Sequence, residues 1–177
     1  AYVTELYDRV SDVAKGAALM TGTRVSCRTV SAYAELLSVP AMEALMMEAM
    51  QEAEKPEYTD DDYEYAARFA ADQASPSIDT TILPADQSIN LGSTDVGDVS
   101  WQVPTGLIGV TTEAAGCALH TWQIVAQGKS PLAHKGMHYA ARILFAAAKK
   151  LYESPERCAL IQDDYQNVIG HRTYQSM

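Results

Sequence analysis

The residues best suited to chemistry lie in two stretches. Gly92-Ser93-Thr94-Asp95-Val96-Gly97-Asp98-Val99-Ser100-Trp101 places two acids and a hydroxyl in a glycine-punctuated loop, and Leu119-His120-Thr121-Trp122 follows about twenty residues later. Loops of this kind carry polar groups that a rigid scaffold positions. An imidazole with nearby carboxylates is half of a metal site: His120 as a ligand, Asp95 and Asp98 as acids that fix its orientation or line the pocket. The bland readings stand beside it. Asp95 and Asp98 also suit turn chemistry, because an Asp side chain accepts from nearby backbone N–H groups. His120 also suits a hydrogen-bonded core position. Ser93 lacks the Gly-x-Ser-x-Gly setting of an activated nucleophile.

The other histidines offer less. His134 and His138 are four apart and share a helix face, but they lack the Glu of His-Glu-x-x-His, so the metalloprotease pattern fails. His171 falls in a tail. Three cysteines, Cys27, Cys117 and Cys158, are far apart and odd in number. They suggest neither a zinc ribbon nor a disulfide frame, and they suit a reducing, cytoplasmic setting.

Several elements must position these groups. Val3, Leu6, Val10, Val13, Ala14 and Ala17 recur at helical spacing, so 3–20 reads as an amphipathic helix stopped at Thr21-Gly22-Thr23. Arg24 to Tyr33 alternates in character and reads as a strand. Pro40 marks a boundary, and a methionine-rich helix (Met42, Leu45, Met46, Ala49) follows it. Thr59 caps a third helix whose first turn carries Asp60, Asp61 and Asp62. Residues 74–91 read as a long irregular loop. Leu107-Ile108-Gly109-Val110 reads as a short buried strand and 122–127 as another. Ala133 to Tyr152 is the strongest helical pattern, and Ser154-Pro155 opens a last helix that ends near Gly170.

Bulk properties narrow the partners. The 177-residue chain has 47% apolar residues, enough for a packed core, and a net charge of −10. With no basic stripe to meet phosphate, nucleic acid is not an expected partner. No run of eighteen apolar residues suggests a membrane span. The chain begins with Ala1 directly in helical periodicity, which reads as a cut rather than a natural start.

The two motif stretches, with Gly128-Lys129-Ser130-Pro131-Leu132-Ala133-His134-Lys135-Gly136-Met137 and with Lys15-Gly16-Ala17-Ala18-Leu19-Met20-Thr21-Gly22-Thr23, resemble the C-terminal region of M20-family metallo-amidohydrolases, in particular their aminobenzoyl-glutamate-utilising branch. The resemblance spans nearly the whole chain. It implies an α/β fold: the C-terminal part of a three-layer α/β/α catalytic domain at 39–177, preceded at 1–38 by the last helix and strand of an α+β, ferredoxin-like lid that also dimerises. It implies a divalent metal, zinc or manganese, two ions per active site in the intact parent, with His120 the last ligand. Ser93 and Asp95 fall on the family's Ser-Glu-Asp-Phe stretch, with Thr94 in place of Glu. The family's histidine cluster and its Glu-Glu pair, whose glutamate is the general base, have no match here. The expectation is therefore a fragment, inactive and prone to self-association by itself. Its parent would cleave an aromatic-acyl amino acid amide such as p-aminobenzoyl-glutamate, in the cytoplasm, as a homo-oligomer or with a partner chain carrying the other half. A non-catalytic interaction protein that keeps the fold is the competing expectation.

Overall fold

The structure is a computed structural model that describes residues 2–70, 76–84 and 92–175. Among the described residues seven helices follow one another: α1 (Tyr2–Thr21), α2 (Pro40–Glu52), α3 (Asp60–Ala67), α4 (Val96–Ser100), α5 (Trp122–Gln127), α6 (Pro131–Glu153) and α7 (Pro155–Ile169). Two compact units divide the chain, 1–33 and 34–176.

The first unit is α1 and the irregular stretch after it. α1 ends as its sequence demands. The Thr21 hydroxyl donates to the Ala17 carbonyl, Gly22 takes φ +64°, and the Thr23 N–H reaches back to the Ala18 carbonyl at 2.9 Å. Its apolar stripe finds no cover: no residue of α1 is buried, and Val10 and Val13 stand 66% and 72% exposed.

In the second unit, α2, α6 and α7 pack together. Leu45, Met46 and Ala49 of α2 meet Tyr139, Ile143 and Ala147 of α6 and Ile161 and Tyr165 of α7. Three of the helix starts are capped by side chains next to them. Ser130 accepts the Ala133 N–H ahead of Pro131, and Ser154 accepts the Arg157 N–H ahead of Pro155. Thr59 and Asp62 form a reciprocal capping box for α3. A polar knot ties the helices: Glu48 of α2 binds Arg157 of α7 at 2.5 Å and Lys150 of α6 at 2.8 Å, and Lys150 also meets Glu52 at 2.6 Å.

The expected α/β architecture is not there. Among the described residues no strand occurs, so neither the three-layer catalytic sheet nor the ferredoxin-like lid strand exists in this structure. Residues 24–33 form no strand and pair with no other backbone among the described residues. At 107–110 the expected buried strand is neither a strand nor fully buried: Ile108 and Val110 pack on the helical core, whereas Leu107 is 55% exposed. Alternation supplies a face, but a strand also needs a second backbone to close its hydrogen bonds. Here the contacts to the neighbouring segment are the Thr111 hydroxyl to the Asp79 carbonyl and, just beyond, the Ala115 N–H to the Ser77 carbonyl at 2.8 Å. The third expected strand, 122–127, is helix α5. Gln123 and Gln127 lie one turn apart in it, and the buried Gln127 amide donates to the Gln123 carbonyl at 3.1 Å while its oxygen accepts the Ala114 N–H at 2.8 Å.

Candidate functional site

The 92–101 loop is built around a short helix. The Thr94 hydroxyl accepts the Val96 N–H at 3.3 Å and starts the turn. Ser93 is exposed. Asp95 is exposed too and occupies the N-cap position of α4 without a side-chain capping bond. Asp98 behaves differently. It is half-buried, and its Oδ1 accepts the Ala34 N–H at 2.9 Å. Ser100 is 1% exposed, accepts the Leu37 N–H at 2.9 Å and donates to the Gly97 carbonyl at 2.6 Å. The Trp101 indole N–H donates to the Glu35 carbonyl at 2.9 Å. Backbones meet closely here: a Cβ on Gly97 would fall 2.0 Å from the Ala34 carbonyl oxygen. Asp98, Ser100 and Trp101 thus bind the loop to residues 34–37.

The tail holds the same loop from another direction. The Arg172 guanidinium lies 4.9 Å from the centre of the Trp101 ring and pairs with Glu35 at 3.1 Å, and the Tyr174 ring sits 6.3 Å from that of Trp101.

His120 occupies a turn between Ala118 and α5. It is exposed, and its φ of +61° is the one positive value at a non-glycine residue among the described positions. L-residues rarely adopt this region, although histidine does so more readily than bulky or β-branched residues. The Thr121 hydroxyl donates to the Ala118 carbonyl at 2.8 Å and tightens the turn. His134 and His138 are exposed on α6.

These positions do not assemble a metal site by themselves. Among the described residues no group of three or more His, Cys, Asp or Glu side chains converges. A tetrahedral site takes about four donors, and one exposed imidazole does not meet that need. The residues present therefore do not fit a resident ion unaided.

Two arrangements carry no local sign in the sequence. Asp62 is 5% exposed and joins Lys135 of α6 in an ion pair. Burial works against its charged form, but the bonds from Lys135 and Thr59 outweigh it and hold the carboxyl below the usual carboxylate range. Beside it, Tyr58, Tyr63 and Tyr139 line a cleft with Lys55. Burial and the nearby Asp62 charge push the Tyr58 phenol up, so it stays neutral.

The chain is similar to a hydrolase component. That relative is one of the subunits of the p-aminobenzoyl-glutamate hydrolase of Escherichia coli (strain K12). It is 30% identical over 201 residues, an alignment that covers 97% of this chain and 42% of the relative. The chain therefore spans about two-fifths of that protein's length. No protein-family profile matches the chain, and no solved structure matches it. Among the described residues no helix is long and apolar enough to cross a membrane.

Proposed function

We propose that this chain is a portion of a hydrolase that cleaves the amide between an aromatic acyl group and an amino acid, with p-aminobenzoyl-glutamate the leading substrate. The observation that carries the reading is the alignment to the Escherichia coli hydrolase across 97% of this chain. The activity belongs to a longer assembly, in which the residues described above are one contributor. Catalysis would use divalent ions, zinc or manganese, two per site. His120 supplies one donor, and the others come from protein outside these 177 residues, either in the same polypeptide or in a partner chain. The relative is named as one subunit of its hydrolase, which supports the second arrangement. Asp95, exposed and free of a capping bond, is the acid of the loop available to such a site. Asp98 is committed to Ala34 and acts by holding the loop in place. The assembly would be a homo-oligomer or a complex with that partner, and its compartment the cytoplasm. Three free thiols, two of them exposed, suit a reducing environment.

The test is His120→Ala in the full-length hydrolase, read by turnover of p-aminobenzoyl-glutamate and by metal content. Loss of turnover together with loss of bound ion is expected. Full turnover with unchanged metal would overturn the ligand assignment.

A further inference from the structure

The cleft beside α3 is lined by Tyr58, Tyr63, Tyr139, Val110, Ile82 and Lys55, among others. Its volume is about 180 Å³, below the ~300–1,000 Å³ of pockets that hold drug-sized ligands, so it suits a single ring with one substituent. Tyr58 and Tyr63 present rings packed edge to face, with centroids 6.3 Å apart. The Tyr139 hydroxyl is spent on the Met50 carbonyl at 2.9 Å, which leaves its ring as an apolar wall. Val110 and Ile82 extend that wall.

Charge in the cleft is one-sided. The chain carries 23 acids against 13 lysines and arginines, yet no acid is among the residues that line this cleft, and Lys55 is. Lys55 forms no ion pair or side-chain hydrogen bond among the described residues. The neighbouring Glu54 is engaged by Arg142 at 3.4 Å, and Lys135, 5.7 Å from the Tyr58 ring, is neutralised by Asp62. A free ammonium at the edge of an aromatic pocket selects a ligand with a ring at one end and an anion at the other.

We propose that this cleft binds a single-ring aromatic carboxylate, the ring against Tyr58 and Tyr63 and the carboxylate on Lys55. The cleft's own lining carries the class of ligand. Only the choice of 4-aminobenzoate, the acid released by hydrolysis of p-aminobenzoyl-glutamate, rests on the reading of function above. An edge-to-face aromatic contact is worth about 0.5–1.5 kcal/mol, or about twofold to twelvefold in affinity. An exposed ion pair is worth about 0.2–1 kcal/mol, or up to about fivefold.

The experiment titrates 4-aminobenzoate, benzoate, benzamide and cyclohexanecarboxylate into the full-length protein and follows backbone amide shifts by NMR. Both aromatic acids should shift amides around Tyr58, Tyr63 and Val110, and should bind several-fold more tightly than benzamide or cyclohexanecarboxylate. Lys55→Met should weaken benzoate up to about fivefold and leave benzamide unchanged, and Lys55→Arg should restore benzoate binding. Equal binding of benzoate and benzamide would overturn the role of Lys55. Equal binding of benzoate and cyclohexanecarboxylate would overturn the aromatic wall, and absence of shifts with all four would overturn the site. Hydrolysis by the full-length protein is a separate readout, so failure of the functional reading leaves the benzoate result standing.

Discussion

The Asp98 carboxylate accepts the backbone N–H of Ala34, 64 residues earlier in the chain, at 2.9 Å. The bond fastens the 92–101 loop to a segment far away in the chain. A hydrogen bond to a charged acceptor contributes about 1.5–3 kcal/mol, and an unpaired buried N–H adds its own cost. Asp98→Ala is therefore expected to destabilise the chain by about 2 kcal/mol, with Asp98→Asn intermediate because an acceptor remains. Asp95→Ala should fall within about 0.5 kcal/mol of the parent, as exposed substitutions do. Urea midpoints of the three variants check the ordering, and equal costs at 95 and 98 would refute it.

Two glycines are fixed by contact with another segment. A Cβ at Gly97 would meet the Ala34 carbonyl oxygen at 2.0 Å, and one at Gly136 would meet the Thr111 carbonyl oxygen at 2.1 Å. Both obstacles are backbone, so no rotamer change relieves them. Gly97→Ala and Gly136→Ala should each cost about 3 kcal/mol, the upper end for overpacking. Gly16 of α1 meets nothing within 4 Å. There Gly16→Ala should stabilise the helix by about 0.5–1 kcal/mol. Thermal melts of the 177-residue chain and circular dichroism of α1 separate the two kinds of glycine.

The helices are legible in the sequence because their signals are local. Helical spacing marks α6 within two residues at each end, Ser154 and Pro155 mark the start of α7, and Thr59 marks the start of α3. The strand expectation fails because alternation at 24–33 reports a face and the apolar run at 107–110 reports burial, and neither says anything about a pairing partner. At 122–127 the β-branched pair Ile124-Val125 points to a strand, but the four-residue spacing of Gln123 and Gln127 is the better guide. The site is legible only in its residue types. Nothing local distinguishes Asp95, open to solvent, from Asp98, spent on a distant amide. Nor does the Thr59–Asp62 capping box announce that Lys135 will meet Asp62 from 73 residues away. The cleft at Tyr58 and Tyr63 needs Tyr139 from α6, again a long-range relation.

Glu48 is the hinge of the acid response. Hydrogen bonds from Arg157 and then Lys150 lower its carboxyl from an ordinary value of 4.5 to about 2. Because the folded value lies below the unfolded one, this contribution is complete above the ordinary carboxylate range. It is lost as the pH falls through about 2. Glu48→Gln should therefore lower the urea midpoint most near neutral pH and progressively less below about pH 4.5, with the two proteins converging near pH 2. A difference that persisted unchanged into acid would mean that the carboxylate charge is not what joins α2 to α7.

His120 is where stability and function should part. Its φ of +61° places an L-residue in the left-handed region, at a cost of about 1–2 kcal/mol. The ring is exposed, so removing it forfeits little packing. His120→Gly relieves the backbone at the expense of a more flexible unfolded chain, and the two effects roughly cancel. The variant should be neutral to about 1 kcal/mol more stable than the parent, whereas His120→Ala keeps the strain and gains nothing. In the full-length protein both should lose turnover if it is the amide hydrolase proposed above. Strain retained at a position whose removal does not destabilise the fold points to a residue kept for its imidazole. Chemical unfolding of His120→Gly beside a turnover assay checks both halves, and a loss of several kcal/mol would show that the ring is structural instead.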